Sequence, residues 1–181
     1  MRIISGTHKG RRIAAPSGDS TRPTSDRVRE ALFNILGSVD DAIVLDLFAG
    51  SGALGLEALS RGARRCVFVE SDAAAARVIA ANLAALELTG AVVEKRDALA
   101  VLREAGARDT TYDLVFCDPP YGDWASLEPQ LAVLLPPVLA EEGMLVVETG
   151  ARTEPQLPLG STLDLTTSRR YGSARISIFS R

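Results

Sequence analysis

The turn Asp118-Pro119-Pro120-Tyr121 combines the residue types of a site that holds an amino group. It follows residues 112–117 (YDLVFC), a run that predicts a buried parallel strand. Because proline has no N–H for a strand ladder, the strand must end there, and open α/β sheets bind ligands at that end. A carboxylate, free backbone carbonyls and an aromatic ring suit a planar –NH2 group carried on a ring. The alternative is a tight loop with a capping aspartate.

A second predicted strand end, after residues 43–47, carries a glycine-rich loop. Gly50, Gly52 and Gly55 satisfy the G-x-G-x-x-G pattern of nucleotide-binding loops. The spacing alone does not separate NAD from S-adenosylmethionine (SAM), because both ligands contain adenosine. An NAD-dependent oxidoreductase is disfavoured, since no catalytic His, Lys or Ser–Tyr–Lys set accompanies the loop.

Three acids at successive predicted strand ends favour SAM. Glu70, after the second strand, can accept hydrogen bonds from ribose hydroxyls. Asp46, at the tip of the first strand, would repel a diphosphate and attract a cationic amino-acid group. Asp97, after the third strand, can accept from an adenine amino group. The alternative is that each acid caps the helix that follows it.

Predicted strands and helices that would position these side chains alternate along the chain from residue 43. This alternation predicts an α/β fold with a doubly wound, mostly parallel sheet. Strand-like runs at 163–165 and 175–179 lie too close together for a crossover helix, so an antiparallel hairpin is expected at the C-terminal end. The parallel strands are predicted at 43–47, 65–70, 91–95, 112–117 and 144–148, and the helices at 53–60, 72–86, 98–104 and 126–140.

The N-terminal segment is basic although the 181-residue chain has a net charge of −3. Residues 1–29 hold seven basic and two acidic side chains, a local charge of +5, whereas the other residues hold 13 basic and 21 acidic ones, or −8. A local patch of this kind favours a polyanionic partner, and a solvated arm is the alternative. A basic hairpin and linker are expected at 1–24, and one domain at 25–181, beginning with a helix that Ser25 or Asp26 caps and Gly37 ends.

Composition predicts a globular cytoplasmic protein. The 46% of hydrophobic residues suffices for a packed core, and the first residues lack the apolar stretch of a secretory signal. The longest apolar run, 131–140, contains two prolines and is too short to span a bilayer. Cys66 and Cys117 lie in apolar strands and are expected to be buried free thiols, with no metal site.

The order of these features resembles the class I SAM-dependent methyltransferases, whose D/N-P-P-Y/F signature accompanies methylation of exocyclic or amide nitrogens. Further motifs resemble the RsmD family, which methylates a guanine N2 in bacterial 16S ribosomal RNA. One departure is Ser173, where the family commonly has Asp or Asn. The matching segments are residues 5–11, 22–34, 46–63, 118–121 and 170–172.

This resemblance implies a seven-stranded Rossmann-like fold, a SAM cofactor and, as partner, 16S rRNA in an assembled or partly assembled small subunit. The protein is expected to act as a monomer. DNA adenine-N6, cytosine-N4 or protein-glutamine methylation remains an alternative, as does a non-catalytic RNA-binding protein. The expected catalytic residues are Asp118, Pro119 and Tyr121. The expected cofactor-binding residues are Asp46, Phe48, Ala49, Gly50, Ser51, Gly52, Gly55, Glu70, Ser71, Asp97, Ala98 and Asp118. The expected RNA-binding residues are Lys9, Arg11, Arg12, Arg22, Arg27 and Arg29.

Overall fold

A computed structural model describes residues 1–16, 26–157 and 163–181. The chain forms two compact units, residues 1–96 (unit 1) and residues 97–181 (unit 2). Residues 17–24 of the expected linker, which include Arg22, lie outside the described residues. The capping alternative Ser25 lies outside them too.

Unit 1 contains three helices and three strands within its described residues. Strand β1 pairs in parallel with β2, and β2 pairs in parallel with β3. Helix α1 ends at Leu36, and Gly37 follows with a φ of +74°, as the sequence predicts. The elements are α1 (Asp26–Leu36), β1 (Ile43–Leu47), α2 (Ala53–Ser60), β2 (Arg65–Val69), α3 (Ala73–Leu86) and β3 (Ala91–Glu94).

Unit 2 carries the remaining elements. Strand β4 pairs in parallel with β5, and β5 and β6 both pair antiparallel with β7. The elements are α4 (Ala98–Ala107), β4 (Tyr112–Cys117), α5 (Trp124–Leu134), β5 (Leu139–Gly150), β6 (Asp164–Tyr171) and β7 (Ala174–Ser180), with 3-10 turns at Tyr121–Asp123 and Pro136–Val138.

The seven strands form one mixed sheet in the order β3-β2-β1-β4-β5-β7-β6. The predicted α/β class, with a mostly parallel sheet and an antiparallel C-terminal hairpin, is therefore confirmed. Strands β1 and β4 are buried almost throughout, as expected for parallel strands covered on both faces.

Several predicted boundaries in unit 2 were wrong. Helix α4 extends to Ala107 rather than to 104. Strand β5 covers Leu139–Gly150 rather than 144–148, because its pairing with β4 begins at Leu139 and its pairing with β7 continues to Gly150. The helix expected over 126–140 ends at Leu134, because Pro136 and Pro137 have no N–H groups with which to continue it. The connection expected over 169–173 is only Gly172-Ser173, since β6 runs to Tyr171, which pairs with Ala174. Gly172 has a φ of +61°, a conformation that glycine adopts without strain in a tight turn.

The N-terminal segment of unit 1 is a short hairpin, which we call the arm (residues 1–16), and it packs on the rest of that unit. The expected hairpin forms through one antiparallel bridge, Arg2 to Arg12. The N–H of Ile3 donates to the carbonyl of Arg11 over 2.9 Å. Ile3 and Ile13 are buried, so the arm contributes to the core of the unit.

Candidate active site

The glycine loop connects β1 to α2 through several left-handed residues. Phe48, Gly50 and Gly52 have φ values of +59°, +55° and +76°. The N–H of Ala49 donates to the carbonyl of Val69, at the end of β2, over 3.0 Å. The loop is therefore fixed to the carboxyl end of the neighbouring strand, where nucleotide-binding loops of α/β proteins lie.

Packing inside unit 1 leaves little room for a side chain at two of the glycines. A Cβ on Gly55 would lie 2.3 Å from Cε1 of Phe68 and 2.6 Å from Sγ of Cys66. A Cβ on Gly52 would lie 3.2 Å from Cγ1 of Ile79, and its positive φ adds strain. The absence of side chains at these positions lets the first turn of α2 approach the sheet closely.

Asp46 is a buried acid at the end of β1, with only 2% of its surface exposed. Its Oδ2 accepts a hydrogen bond from the N–H of Gly55 over 3.0 Å. Burial raises the pKa of this carboxyl to about 7; the Gly55 bond lowers it and the charge of Glu70 raises it further. A cationic ligand group near Asp46 would favour the ionised form of this carboxyl. The sequence predicts that Asp46 attracts such a group.

Glu70 connects the glycine loop to the start of α3. One carboxylate oxygen accepts from the N–H of Gly50 over 2.8 Å, and the other accepts from the N–H of Asp72 over 2.8 Å. Each oxygen has a second lone pair, so the carboxylate can also accept from ligand hydroxyl groups. Ser71, which lies between β2 and α3, is exposed.

Asp97, the first residue of unit 2, caps helix α4. Its side chain accepts from the N–H of Ala100 over 2.9 Å, and Ala98 is buried beneath the first turn. The capping alternative is thus observed for Asp97. Since the carboxylate is exposed and keeps further lone pairs, capping leaves it able to accept from a ligand N–H.

The Asp118 turn begins where the sequence predicts, directly after β4. Asp118 is partly exposed, Pro119 is buried and Pro120 is exposed. The chain then forms a 3-10 turn, in which the N–H of Asp123 donates to the carbonyl of Pro120 over 2.9 Å. The side chain of Tyr121 is outside the described part of the structure, so its stacking role stays a prediction.

Both cysteines are buried free thiols, as predicted. Burial raises the pKa of the Cys117 thiol well above its usual value, and the neighbouring charge of Asp118 raises it further. Burial likewise raises the pKa of Cys66, with a smaller contribution from Asp46. The ionised form needed for nucleophilic chemistry is therefore strongly disfavoured at both positions.

The basic side chains expected to bind RNA fall into different environments. Lys9, Arg12 and Arg27 are exposed. Arg11 is exposed too, but its Nη2 donates to the carbonyl of Ala85 near the end of α3 over 2.7 Å. The side chains able to meet a phosphate without losing a described contact are therefore Lys9, Arg12 and Arg27.

Arg29 does not fit the RNA-binding role, which is a correction to the sequence analysis. Its side chain is 0% exposed, so a phosphate cannot reach it. Nη2 donates to the carbonyl of Arg2 and, over 3.0 Å, to Oδ1 of Asp26. Nε lies 3.6 Å from Oε2 of Glu57, which is also fully buried.

Glu57 is a structural residue that the sequence analysis missed. Its carboxylate accepts from the N–H groups of Ile4 and Ser5 over 2.7 and 2.9 Å, and from Nε of Arg61 over 2.8 Å. The signal in the sequence is a single acid within the apolar helix ALGLEALS. An acid in such a setting needs buried partners, because an unpaired charge in a core is costly.

Asn82 was missed for a similar reason. It lies in the interior of the alanine-rich helix α3, where asparagine is a poor helix former, and it is 4% exposed. Its amide forms hydrogen bonds to Ala14 of the arm and to Ser51 of the glycine loop. A buried amide inside a helix indicates partners outside that helix.

Comparison with known proteins identifies the family. The family model described as "Conserved hypothetical protein 95" matches residues 1–180. The chain is 42% identical over 188 residues to "Putative rRNA methyltransferase YlbH" of Bacillus subtilis (strain 168), covering 100% of this chain and 99% of that protein. It is 47% identical over 122 residues to "Ribosomal RNA small subunit methyltransferase D" of Escherichia coli (strain K12), covering 67% of this chain and 60% of that protein.

A solved structure described as "Putative methyltransferase yhhF from Escherichia coli" superposes with a TM-score of 0.85 at 36% identity. The match covers 100% of this chain and 97% of that one. In the described part of the chain, none of the helices has the length and apolar character to cross a membrane. The resemblance seen in the motifs is confirmed: the chain belongs to the conserved hypothetical protein 95 family, also known as the RsmD family, whose relatives are methyltransferases.

Proposed function

We propose that this protein transfers a methyl group from SAM to the exocyclic N2 of a guanine in bacterial 16S ribosomal RNA. The observation that carries the proposal is the Asp118-Pro119-Pro120-Tyr121 turn, placed directly after β4, in a chain 42% identical along its length to the protein named "Putative rRNA methyltransferase YlbH". The turn supports transfer to an amine, and the relatives support RNA as the acceptor.

The cofactor chemistry rests on acids and backbone groups of unit 1. SAM supplies a methyl group activated by a sulfonium. Glu70 would accept from the ribose hydroxyls, and Asp46 would face the cationic amino-acid part of the ligand. The backbone of Phe48 to Gly52 would lie along the ligand, since glycines permit close approach. These hydrogen-bond acceptors fit a cation-bearing nucleoside better than a diphosphate, because a diphosphate would be repelled by the Asp46 and Glu70 carboxylates.

Asp97 would accept from the adenine amino group of SAM, and the turn after β4 would hold the methyl acceptor. Asp118 and the carbonyl of Pro119 would each accept one N–H of the guanine amino group. The nitrogen would then become more pyramidal, with its lone pair directed at the methyl carbon. The N–C bond would form as the C–S bond breaks, S-adenosylhomocysteine would leave, and one N–H proton would be released to solvent. The carboxylate stabilises the positive charge that develops on the nitrogen. An oxyanion hole acts in the same way with the opposite charges. Holding two reactants in line can contribute up to about 7–11 kcal/mol.

RNA binding is assigned to the arm and the start of α1. Lys9, Arg12 and Arg27 would bind phosphates, and Arg22 keeps its predicted role. The substrate would be an assembled or partly assembled small subunit, and the enzyme a cytoplasmic monomer. The target guanine must leave its stacked position to reach the turn, and Tyr121 would stack on it.

The test is methyl transfer to defined acceptors. The enzyme is incubated with tritiated SAM and small subunits from cells that lack the enzyme, and the modified nucleotide is mapped. Naked 16S rRNA and a DNA duplex are run in parallel. Label on guanine N2 of 16S rRNA is expected; label only on DNA, or only on a ribosomal protein, would replace the proposed acceptor with one of the alternatives.

A further inference from the structure

One buried side chain joins the arm to the glycine loop. Asn82 Nδ2 donates to the carbonyl of Ala14 over 3.0 Å and to the carbonyl of Ser51 over 3.2 Å. Its Oδ1 accepts from the N–H of Ala14 over 2.8 Å. Because the N–H of Ala14 can only donate, the amide orientation is fixed, and both of its N–H groups are used.

The face of α3 that carries Asn82 also supports the loop. Ile79, three residues earlier and therefore on the same face, lies beneath Gly52. Arg11 of the arm donates to the carbonyl of Ala85 on the same helix. Helix α3 thus contacts the arm and the loop at once, and Asn82 is the described side chain that hydrogen-bonds to both.

We infer that Asn82 is a positioning residue that couples RNA binding by the arm to SAM binding by the glycine loop. The inference rests on the proposed function, which assigns RNA to the arm and SAM to the loop. RNA phosphates bound at Lys9 and Arg12 would hold the arm, and with it Ala14, in the position that keeps the Asn82 amide bonded to Ser51. Such coupling is reciprocal, so SAM must strengthen RNA binding by the same factor.

Ser60 provides the matched control. Its Oγ donates to the carbonyl of Ser5 over 2.7 Å and accepts from the N–H of His8 over 3.0 Å, so it also holds the arm. None of its described side-chain hydrogen bonds involves residues 48–52. Ser60→Ala therefore loosens the arm and leaves the Asn82 connection in place.

The experiment measures the affinity of small subunits for the enzyme with and without S-adenosylhomocysteine, and the affinity for S-adenosylhomocysteine alone. In the wild type we expect the ligand to tighten subunit binding about threefold or more. Asn82→Leu should reduce that factor to about one and weaken S-adenosylhomocysteine about threefold or more, as expected for the loss of a hydrogen bond. Ser60→Ala should weaken subunit binding and keep the coupling factor. In turnover, Asn82→Leu should raise KM for both substrates more than it lowers kcat.

A second variant tests the connection from the arm side if Asn82→Leu does not fold. Ala14→Pro removes the N–H from which Asn82 Oδ1 accepts a hydrogen bond. Ala15→Pro, one residue later, is its control. Loss of coupling in Ala14→Pro alone supports the inference. A wild-type factor of one, or a factor unchanged in Asn82→Leu or in Ala14→Pro, overturns it. If the wild type binds no S-adenosylhomocysteine at all, the proposed function itself fails, and the two failures are thereby distinguished.

Discussion

The N–H of Gly55 donates to Oδ2 of Asp46 over 3.0 Å, which joins the third residue of α2 to the end of the strand before the glycine loop. The strand-end acid therefore satisfies a backbone donor that has no partner inside the first turn of a helix. The same carboxyl is buried, and this burial gives it an unusual titration.

The first prediction concerns pH and stability. The folded state raises the pKa of Asp46 from 3.8 to about 7, so it retains a proton that the unfolded chain releases between those values. This contribution to stability is complete below about pH 4 and is lost as pH rises to about 7. This pH-dependent contribution is absent in Asp46→Asn. The free energy of unfolding of the ligand-free variant minus that of wild type should therefore be larger at pH 8 than at pH 4. The expected increase is at least about 1.4 kcal/mol, the value of one pKa unit.

Urea unfolding at both pH values measures this difference. Asp72→Asn is a suitable control, because Asp72 caps α3 and asparagine caps helices equally well. A pH-independent difference between Asp46→Asn and wild type would contradict the prediction.

The second prediction concerns Glu70. In Glu70→Gln, one carboxylate oxygen becomes an NH2 group, which would face the N–H of Gly50 or Asp72 and cannot accept from ribose. Hydrogen bonds to a charged group are worth about 1.5–3 kcal/mol, so S-adenosylhomocysteine should bind roughly 10- to 150-fold more weakly. Calorimetry measures the affinity, and Asp72→Asn should stay within about twofold of wild type. Equal affinities in the two variants would remove Glu70 from the cofactor site.

The third prediction separates the acceptor turn from the cofactor loop. Asp118→Asn keeps the size of the side chain and removes the negative charge that stabilises the methylated nitrogen. We expect kcat to fall by about 10²- to 10³-fold, as for other groups that stabilise transition-state charge, while S-adenosylhomocysteine affinity is retained. Single-turnover methyl transfer and calorimetry are the measurements. Normal turnover with impaired cofactor binding would reverse the assigned roles.

The fourth prediction concerns salt. The Lys9→Ala, Arg12→Ala double variant removes two exposed charges from the arm. If each binds a phosphate, the slope of log affinity against log salt should become shallower by about 0.7–0.9 per contact. Filter binding of small subunits across a salt series measures the slope. Arg77→Ala with Arg103→Ala makes the same change in net charge on two helices and should leave it unaltered.

The fifth prediction compares two arginines of α1. Arg29→Met leaves the buried carboxylate of Glu57 without one of its two cations, so we expect a loss of about 3–5 kcal/mol in the free energy of unfolding. Arg27→Met changes an exposed residue of the same helix and should stay within about 0.5 kcal/mol. The urea midpoints of the two variants measure this difference in stability. Equal midpoints would mean that the Arg29–Glu57 pair does not stabilise the fold.

The sequence was most informative where the signal is local. The bounds of α2 were predicted to the residue, because Gly52 and Gly62 lie just outside it and strong helix formers lie between. The end of α5 was missed because its apolar pattern continues through Pro136 and Pro137, and the pattern was given more weight than the missing donors.

The sequence was least informative where partners are distant. Arg29 and Arg27 look alike in the sequence, but only Arg29 meets Glu57, 28 positions along the chain. Asn82 meets Ala14 across 68 positions. Periodicity and spacing describe neighbours along one element, so they could not show which charges and amides pair across unit 1.

The attachment of the arm to α2 has a consequence for how the protein folds. Ile4, Ser5 and His8 find their partners on Glu57 and Ser60, 52 to 55 residues later in the chain. Helix α2, with eight residues, is too short to persist alone in water. During synthesis, residues 4–8 must therefore wait until the β1–α2 segment has been made before they can form these contacts. Closing this long loop costs conformational entropy, so the arm and α2 must become ordered together.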